Sequence, residues 1–317
     1  MGQRHADDLT PILEPHRRTL WGLCYRLTGC AADADDLVQQ TFLRAIERPP
    51  GQPPADWKPW LVRVAVRFGI DTLRRRRRGG YVGVWLPSPI ETEPFADAAA
   101  ADSDVANHYE LRESVSFAFL LALEALPPRA RAALLLRDVL DYSAREVAEV
   151  LDTSEGNARI LHMRARRALR RYDRDRRLPT RALAEETRRV LAQLIEALLR
   201  GDVPALEALL TVSARTVTDA GGEFNALRAP LTGRTRVARF HLRVAARRAA
   251  GARVEIRTVN GLPALVIEFA ESHRGAAPRL VLRCELDGEG RIRELHSIMA
   301  PAKLTAIRFG AETQPPV

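Results

Sequence analysis

The sequence predicts a multidomain protein with two all-α regions followed by an α+β domain. Apolar residues recur at helical spacing from about residue 7 to 78 and again from about residue 105 to 210. Further along, apolar residues alternate in short runs joined by Asn260-Gly261 and Asp287-Gly288, as in strands joined by tight turns. Because helices precede the sheet without strand–helix alternation, the last part is predicted to be α+β.

The composition is that of a globular protein with a polyanionic partner. The chain has 317 residues, of which 46% are hydrophobic and 28% charged, with a formal net charge of +9. This length allows two or three domains, and the basic balance favours nucleic acid or an anionic membrane surface as partner. No run of about 18 apolar residues and no secretory signal pattern is present, so a cytoplasmic protein that does not enter the membrane is predicted.

The chain contains few residues that would indicate a metal site. Its cysteines (Cys24, Cys30 and Cys284) show no zinc-ligand spacing, so neither a metal nor a cofactor is expected. Only Lys58 and Lys303 are lysines among the 49 basic residues, so arginine content alone is weak support for phosphate binding.

The first helical region is predicted to span residues 1–78. The segment ADADDLVQQTFLRAIER has a helical apolar stripe and acidic residues in its first turns, which suit the helix dipole. A proline-rich loop, RPPGQPPADWKP, follows. A second helix, WLVRVAVRFGIDTLRRRRR, ends in the arginine run Arg74–Arg78.

A linker is predicted over residues 79–106. It begins with GGYVGVWLPSPI, which is richer in apolar and aromatic residues than a disordered linker, and continues with the acidic stretch ETEPFADAAAADSD. The apolar start therefore predicts a segment that packs on a surface.

The second helical region, residues 107–177, contains a predicted helix-turn-helix over Asp141–Tyr172. Ser143 and Glu146 have capping-box spacing, and Ser154 after the turn can cap the second helix. The inner face of that helix would carry Ala158, Leu161, Ala165 and either Ala168 or Leu169. Its outer face carries Glu155, Asn157, Arg159, His162, Arg166 and Arg170.

That outer face fits the major groove of DNA. Asn157 is placed for an adenine and Arg159 for a guanine, while later arginines would contact phosphates. The alternative is a solvated basic helix in a structural bundle, and His162 alone is equally compatible with an ordinary surface position.

Taken together, these motifs resemble a known family over nearly the whole chain. DADDLVQQTFLRA and PWLVRVAVRFGIDTLRRRRR resemble region 2 of bacterial sigma factors, and LPPRARAALLLRDVLDYSAREVAEVLDTSEGNARILHMRARRAL resembles region 4. This pair is typical of the extracytoplasmic-function (ECF) class. WLPSP, TDAGGEF and MAPAKL resemble the WLPEP, DGGGK and NPDKL motifs of a subgroup with a SnoaL-like C-terminal extension, here residues 178–317.

The resemblance implies an RNA polymerase initiation subunit that binds promoter DNA. Its partners would be core RNA polymerase, through the β′ coiled coil and the β flap, and the −10 and −35 promoter elements. The residues expected to dock on the β′ coiled coil are Asp35, Asp36, Gln39 and Phe42. For the acidic residues, a helix-dipole role is the alternative, and one residue can serve both.

Recognition of the −10 element is expected at the proline-rich loop and the helix after it. The loop would capture an extruded base, on which Trp57 could stack; the alternative is that Trp57 and Trp60 belong to the core. The positions expected to follow the strand are Lys58, Arg63, Arg67 and Arg74. Arg67 stands where the family usually has Asn, so no base contact is carried over there. The run Arg74–Arg78 would make binding strongly salt-dependent.

The SnoaL-like fold implies a cone-shaped domain that regulates the sigma regions from within the chain, without a separate anti-sigma factor. Its contact with the linker is expected at Tyr81, Trp85, Leu86, Pro87, Ser88, Asp219, Gly221, Gly222 and Glu223. The family's Glu in WLPEP is Ser88 and its Lys in DGGGK is Glu223. We therefore expect apolar packing of Trp85 and Leu86 to replace an ion pair; local packing of the linker on region 2 is the alternative.

An enzymatic role for the C-terminal domain is not expected. Related folds use Asp and His for acid–base chemistry, and the candidates here are Asp219, His241, Glu268, His273 and His296, but no pattern joins any two of them. An unidentified small-molecule ligand remains compatible with a cone-shaped pocket. The rival interpretation is a ligand-sensing or catalytic domain fused to a conventional helix-turn-helix repressor.

Overall fold

The computed structural model describes residues 9–50, 54–92, 116–175, 177–270 and 274–310. The chain divides into two compact units, Met1–Gly80 with Ala106–Arg177, and Tyr81–Val105 with Leu178–Val317. The first unit is helical and the second is α+β, which confirms the predicted fold class. Within the described residues, no helix is long and apolar enough to cross a membrane.

The first bundle of the helical unit contains three helices whose bounds lie wholly within the described residues. After a short 3-10 turn, Glu14–His16, they are α1 (Arg17–Thr28), α2 (Ala31–Glu47) and α3 (Lys58–Gly79). Each helix contributes one apolar stripe to the interior, which includes Leu20, Leu23, Leu27, Leu37, Val38, Leu61, Val62, Ala65 and Ile70. Gly69 allows α1 and α3 to approach closely, because a Cβ at this position would collide with the side chain of Leu27.

Between residues 116 and 175, the structure describes four more helices of this unit. They are α4 (Phe117–Leu123), α5 (Pro128–Asp138), α6 (Ala144–Leu151) and α7 (Glu155–Asp175). The predicted capping box of α6 is present, since Ser143 Oγ accepts from Glu146 N at 3.2 Å and Ser143 N donates to Glu146 Oε2 at 2.7 Å. Asp152 ends α6 in the left-handed conformation.

Helix α7 packs by one narrow stripe of small residues. Ala158, Ala165 and Leu169 are buried, whereas Ala168 is exposed, so Leu169 is the packing residue of that pair. Ser154 Oγ accepts from Asn157 N at 3.2 Å, as expected for an N-cap. Helices α6 and α7 thus form the predicted helix-turn-helix.

The described residues of the α+β unit form a six-stranded sheet and three α-helices. The helices are α8 (Arg181–Arg200), α9 (Val203–Ala208) and α10 (Arg234–Arg248). The strands are β1 (Leu210–Asp219), β2 (Leu231–Thr232), β3 (Arg253–Val259), β4 (Leu262–Glu268), β5 (Arg279–Leu286) and β6 (Ile292–Ile298).

The sheet order is β2-β1-β6-β5-β4-β3, with β1 and β6 parallel and the other neighbours antiparallel. Helices and sheet share one apolar core that includes Leu183, Leu191, Leu194, Leu206, Val237, Leu265, Leu282 and Leu295.

One boundary differs from the prediction. The helical pair was expected to continue through Leu210, but α9 ends at Ala208 and β1 begins at Leu210, where it pairs with Ile292 of β6. The apolar residues of ALEALL are spaced as in a helix, but pairing with β6 makes the last of them, Leu210, part of the sheet. The predicted Asn260-Gly261 turn is present, with both residues in the left-handed region at φ 50° and 82°.

Candidate nucleic-acid interface and linker site

The outer face of α7 is exposed along its first two turns. Glu155, Asn157 and Arg159 are all exposed there. Arg159 pairs with Glu155 at 2.5 Å, and Asn157 Nδ2 donates to Thr153 Oγ1 at 2.7 Å. Both contacts are local and lie at the surface, where such pairs contribute little to stability, so the polar ends can exchange them for a partner.

Further along α7, two of the predicted residues contact a protein carboxylate. Asp138, the last residue of α5, binds His162 Nε2 through Oδ1 and Arg166 Nε through Oδ2, both at 2.8 Å. Arg170, one turn later, is exposed. The role of Asp138 could not be predicted from local spacing, because it depends on how α5 packs against α7.

The exposed face of α2 carries the residues predicted to bind polymerase. Asp35, Asp36 and Gln39 are exposed and Phe42 is half-buried. Asp35 Oδ1 accepts a hydrogen bond from Trp21 Nε1 at 2.7 Å, so α1 fixes this carboxylate in position. The sequence analysis did not identify this partner.

Helix α3 presents a basic face. Arg63, Arg67 and Arg74 are exposed, and their spacing of four and then seven residues places them on one side of the helix. Lys58, at the start of α3, is also exposed.

Trp57 lies in the core rather than on the surface. It is 6% exposed and makes an edge-to-face contact with Trp60, with ring centroids 5.8 Å apart. This burial favours the core alternative over base stacking. Residues 51–53 of the proline-rich loop lie outside the described residues.

The arginine run at the end of α3 does not act as one block. Arg76 donates to Thr28 O and pairs with Glu124, both at 2.8 Å, and Arg77 donates to Leu126 O. Glu124 also binds the fully buried Arg131 at 2.6 Å. Arg76 and Arg77 therefore hold protein groups in this structure, and the salt dependence expected from the run stays a prediction.

The linker residues Tyr81–Thr92, here called the linker segment, meet the C-terminal domain at a buried ion pair. Asp219 and Lys303 are 1% and 3% exposed and their side chains are in contact. Tyr81 Oη donates to Asp219 Oδ1 at 2.5 Å and Leu86 N donates to Asp219 Oδ2 at 2.7 Å. Lys303 also donates to Leu86 O.

Aromatic rings complete this site. The Lys303 ammonium lies 4.6 Å from the centroid of the Tyr81 ring and 4.1 Å from that of Trp85. Because a desolvated cation is attracted by ring faces, both rings add to the ion pair. We call Tyr81, Trp85, Leu86, Asp219 and Lys303 the linker site.

The linker site corrects one expectation. Apolar packing was predicted to replace an ion pair; Leu86 is indeed 1% exposed, but its backbone binds a buried ion pair made by two other residues. Ser88 is fully buried and Glu223 is exposed. Lys303 comes from MAPAKL and Asp219 from TDAGGEF, so the pair joins two of the motifs already recognised.

Other predicted positions support the same contact. Pro87 is buried. Gly221 and Gly222 have φ values of 61° and 85°, and a Cβ on Gly222 would lie 3.1 Å from Val82 Cβ. Glycine is therefore needed both for the turn after β1 and for the approach of the linker segment.

The end of the linker segment lies along the edge strand β3. Asn260 N donates to Ile90 O at 2.9 Å and Thr92 N donates to Thr258 O at 3.0 Å. Glu91 pairs with Arg257 at 2.8 Å. These contacts were missed, although the acidic Glu91 beside apolar Ile90 is the pattern that an added edge strand would show.

The five candidate catalytic residues are not brought together. His241 Nε2 contacts Thr216 Oγ1 at 3.0 Å, and burial lowers the pKa of His241 to about 4. His296 Nδ1 lies 3.2 Å from Arg283, and Glu268 accepts from Gly310 N at 2.8 Å. Asp219 belongs to the linker site and His273 lies outside the described residues. No acid–base dyad forms among these described side chains. Among the residues that the structure describes, no group of three or more His, Cys, Asp or Glu side chains could hold a metal ion.

Two family descriptions match this chain. Residues 12–79 match Sigma-70 region 2 and residues 116–169 match Sigma-70, region 4. Over 304 residues the chain is 33% identical to ECF RNA polymerase sigma factor SigJ of Mycobacterium tuberculosis, with 92% of each chain covered. It is 36% identical to SigG of the same organism over 233 residues, which are 67% of this chain and 63% of SigG. The crystal structure of SigJ is similar with a TM-score of 0.68 at 28% identity, covering 94% of this chain and 98% of that one.

Proposed function

Since the chain belongs to the extracytoplasmic-function (ECF) family of RNA polymerase sigma factors, we propose that it reads promoters through the basic faces of α3 and α7 and is regulated through the linker site. The observation that carries this proposal is the pair of exposed basic faces on these two helices, one in each family region. The protein acts in the cytoplasm, where the polymerase and the chromosome are.

Helix α7 reads the −35 element. Asn157 and Arg159 lie in its first turns, with side chains long enough to reach base edges in the major groove. Arg170 contacts phosphate. His162 and Arg166 pair with Asp138 in this structure, so they would exchange that contact for DNA on binding.

Helix α3 follows the −10 strand. Lys58, Arg63, Arg67 and Arg74 form an exposed basic row that neutralises the strand backbone. Base capture falls to the loop before α3, in which Trp57 provides a rigid wall rather than a stacking surface because it is buried.

The exposed face of α2 binds core polymerase. Asp35, Asp36, Gln39 and Phe42 combine carboxylates with an aromatic ring, a mixture suited to the β′ coiled coil. The helix-turn-helix region meets the β flap. Asp35 is held in position by Trp21, so part of this surface is preorganised for binding.

The C-terminal domain is a regulator and not an enzyme. Helix α3 ends at Gly79, and Tyr81 is already bound to Asp219, so the regulator is attached directly after the −10 helix. A regulator built into the chain makes a separate anti-sigma factor unnecessary.

Reconstitution with core RNA polymerase tests this function. The chain should form holoenzyme and support run-off transcription from its promoter. Arg159→Ala should lower affinity for the −35 element by about 1–3 kcal/mol and relax the sequence preference at one base pair. Arg145→Ala is a matched control, because Arg145 is an exposed arginine of α6 that pairs with Glu149 in the same local manner.

Failure to form holoenzyme contradicts the proposal. The rival repressor would bind a palindromic site by itself, as a dimer, without polymerase. Gel-shift experiments with and without core polymerase distinguish the two functions.

A further inference from the structure

The C-terminal domain contains a large cavity between its helices and its sheet. It has a volume of about 850 Å³ and is bounded by α8, α10, β4 and β5 together with the end of β6. This volume lies within the usual range for small-molecule sites. Most of the wall is apolar, with lining residues such as Leu198, Val244, Leu265, Ile267, Leu280 and Met299.

The charged residues that line the described part of the wall are arginines. Arg243, Arg247 and Arg248 line the cavity, and none of the lining residues that the structure describes is acidic. His241 is also in the wall, but its contact with Thr216 and its lowered pKa leave it neutral at physiological pH. The cavity therefore combines an apolar interior with a positive rim.

Arg248 is a half-buried arginine of the cavity wall. Its guanidinium lies 3.6 Å from the centroid of the Phe269 ring and donates to Ala277 O at 2.8 Å. Its Nε is buried and has no hydrogen-bond partner among the described residues. By contrast, Arg257 is paired with Glu91 and Glu255.

No carboxylate among the described residues forms an ion pair with Arg248, although burial already penalises its charge and lowers its pKa. A guanidinium charge without a counter-charge would gain from a bound anion, because charge-assisted hydrogen bonds are among the stronger ones. The Phe269 ring fixes the guanidinium plane, and Ala277 O uses one of its five N–H donors, so donors remain for a planar, two-oxygen group.

We propose that this cavity binds a mainly apolar small molecule with a single carboxylate, and that Arg248 receives the carboxylate. The hydrocarbon part fills the space between α10 and the sheet. The carboxylate binds the guanidinium donors that the contact with Ala277 O leaves unused. This site goes beyond the proposed role in transcription, since binding depends only on the C-terminal domain.

Isothermal titration of the full-length chain with three probes of equal length tests the assignment. Decanoate, decanol and decylamine share one hydrocarbon chain and differ in the head group. Decanoate should bind at least about tenfold more tightly than decanol, which corresponds to one charge-assisted hydrogen-bonded pair. Decylamine should bind most weakly, because its ammonium meets a positive rim.

Substitutions locate the binding site. Arg248→Met should lower decanoate affinity to that of decanol while leaving decanol binding unchanged, which also shows that the variant is folded. Arg239→Met is the matched control, because Arg239 is an exposed arginine of α10 outside the cavity wall. Ala245→Phe, which fills the cavity from α10, should abolish binding of all three probes.

Several outcomes overturn the proposal. They are no binding of any probe, equal binding of decanoate and decanol, an unchanged preference in Arg248→Met, or decanoate binding that survives Ala245→Phe. Tighter binding of decyl phosphate than of decanoate would also contradict the proposal, because it would assign a phosphate rather than a carboxylate head group to the ligand. Because these titrations need no polymerase or DNA, their result is independent of the transcription experiment.

Discussion

At the scale of single residues, Asp219 is held by several contacts of the linker site. Its carboxylate accepts from Tyr81 Oη, Leu86 N and Gly221 N, and it pairs with Lys303. A buried carboxylate is tolerated when its oxygens are hydrogen-bonded and its charge is paired, and both conditions hold here. Lys303 is one of only two lysines in the chain, so a compact ammonium between two rings stands where arginine is used almost everywhere else.

Asp219→Asn should destabilise the C-terminal domain by about 3–5 kcal/mol, because it leaves the Lys303 charge buried without a counter-charge. Denaturant unfolding measures this loss of stability. The Leu86 amide, which donates to Asp219, should also exchange its hydrogen faster in the variant. The double variant Asp219→Asn with Lys303→Met should recover part of the loss. Glu289→Gln is the control, since the Glu289 side chain is 74% exposed; an equal loss there would contradict the explanation.

His241 gives a prediction for pH dependence. Burial lowers its folded-state pKa from about 6.5 to about 4, so the unfolded chain binds a proton that the folded chain does not as pH falls through this window. The free energy of unfolding should therefore decrease between pH 6.5 and 4, by at most about 3 kcal/mol from this residue. Above pH 6.5 the imidazole is neutral in both states and contributes no slope.

Unfolding curves of His241→Gln across this range check the prediction. The variant should lose that part of the slope, whereas His16→Gln, in the helical unit, should keep it. A slope that is unchanged in His241→Gln would mean that other groups account for it.

At the scale of elements, α3 divides its arginines between two tasks. Arg63, Arg67 and Arg74 face outward, whereas Arg76 and Arg77 turn back onto α1 and α4. Glu124 compensates two guanidinium groups at once, those of Arg76 and the buried Arg131. One helix therefore contributes both to the proposed DNA surface and to the packing between the two sigma regions.

Arg74→Met should affect DNA binding, whereas Arg76→Met should affect stability. Arg74→Met should lower the salt slope of holoenzyme–promoter binding by about one, as expected for one lost phosphate contact, with little change in stability. Arg76→Met should instead lower the free energy of unfolding of the helical unit by about 1–3 kcal/mol, because Glu124 loses a charged partner. Promoter binding at several salt concentrations, together with thermal unfolding, checks both.

Either variant serves as the control for the other. If Arg76→Met lowered the salt slope while stability stayed constant, the division of the arginine run between packing and DNA binding would be wrong.

Local features of the elements could be predicted from the sequence, and distant pairings could not. Ser143 and Glu146 lie three residues apart on one helix turn, so their spacing alone predicts the capping box. Asp219 and Lys303 are 84 residues apart, and they meet because β1 lies parallel to β6. No local pattern encodes that pairing. For the same reason the partners of Arg76 and His162 were missed.

Trp57 and the arginine run show a second limit. Tryptophan and arginine side chains are found both at the surface and in the interior of proteins. The residue type alone therefore does not predict whether these side chains are buried or exposed. Packing decides it: Trp57 fits edge-on against Trp60, and Arg76 finds the carboxylate of Glu124 and the free carbonyl at the end of α1.

At the scale of the whole molecule, the linker segment belongs to the α+β unit, although it directly follows α3 of the helical unit. The segment is held at two places, the linker site and the edge of β3. In the proposed function, the regulator therefore controls the first residues after the −10 helix. Release of either attachment would lengthen the free tether available to the sigma regions.

Asp219→Asn and a chain ending at Arg177 should change promoter-specific transcription in the same direction. Both remove the hold on Tyr81 and Leu86, and the shorter chain also removes the β3 attachment, so its effect should be the larger. Run-off transcription with core polymerase measures both, and Glu289→Gln should match the unaltered chain. Opposite directions for the two variants would contradict regulation through the linker site.

The linker segment also has a consequence for the order of events during synthesis. Leu86 leaves the ribosome 217 residues ahead of Lys303, the residue that holds its carbonyl. At the usual pace of translation this gap lasts roughly 10 to 40 s. Both sigma regions are complete well within that interval. In the proposed function, a newly made chain would therefore carry its DNA-reading part before its restraint, and would come under control only once Lys303, which follows β6, has been added.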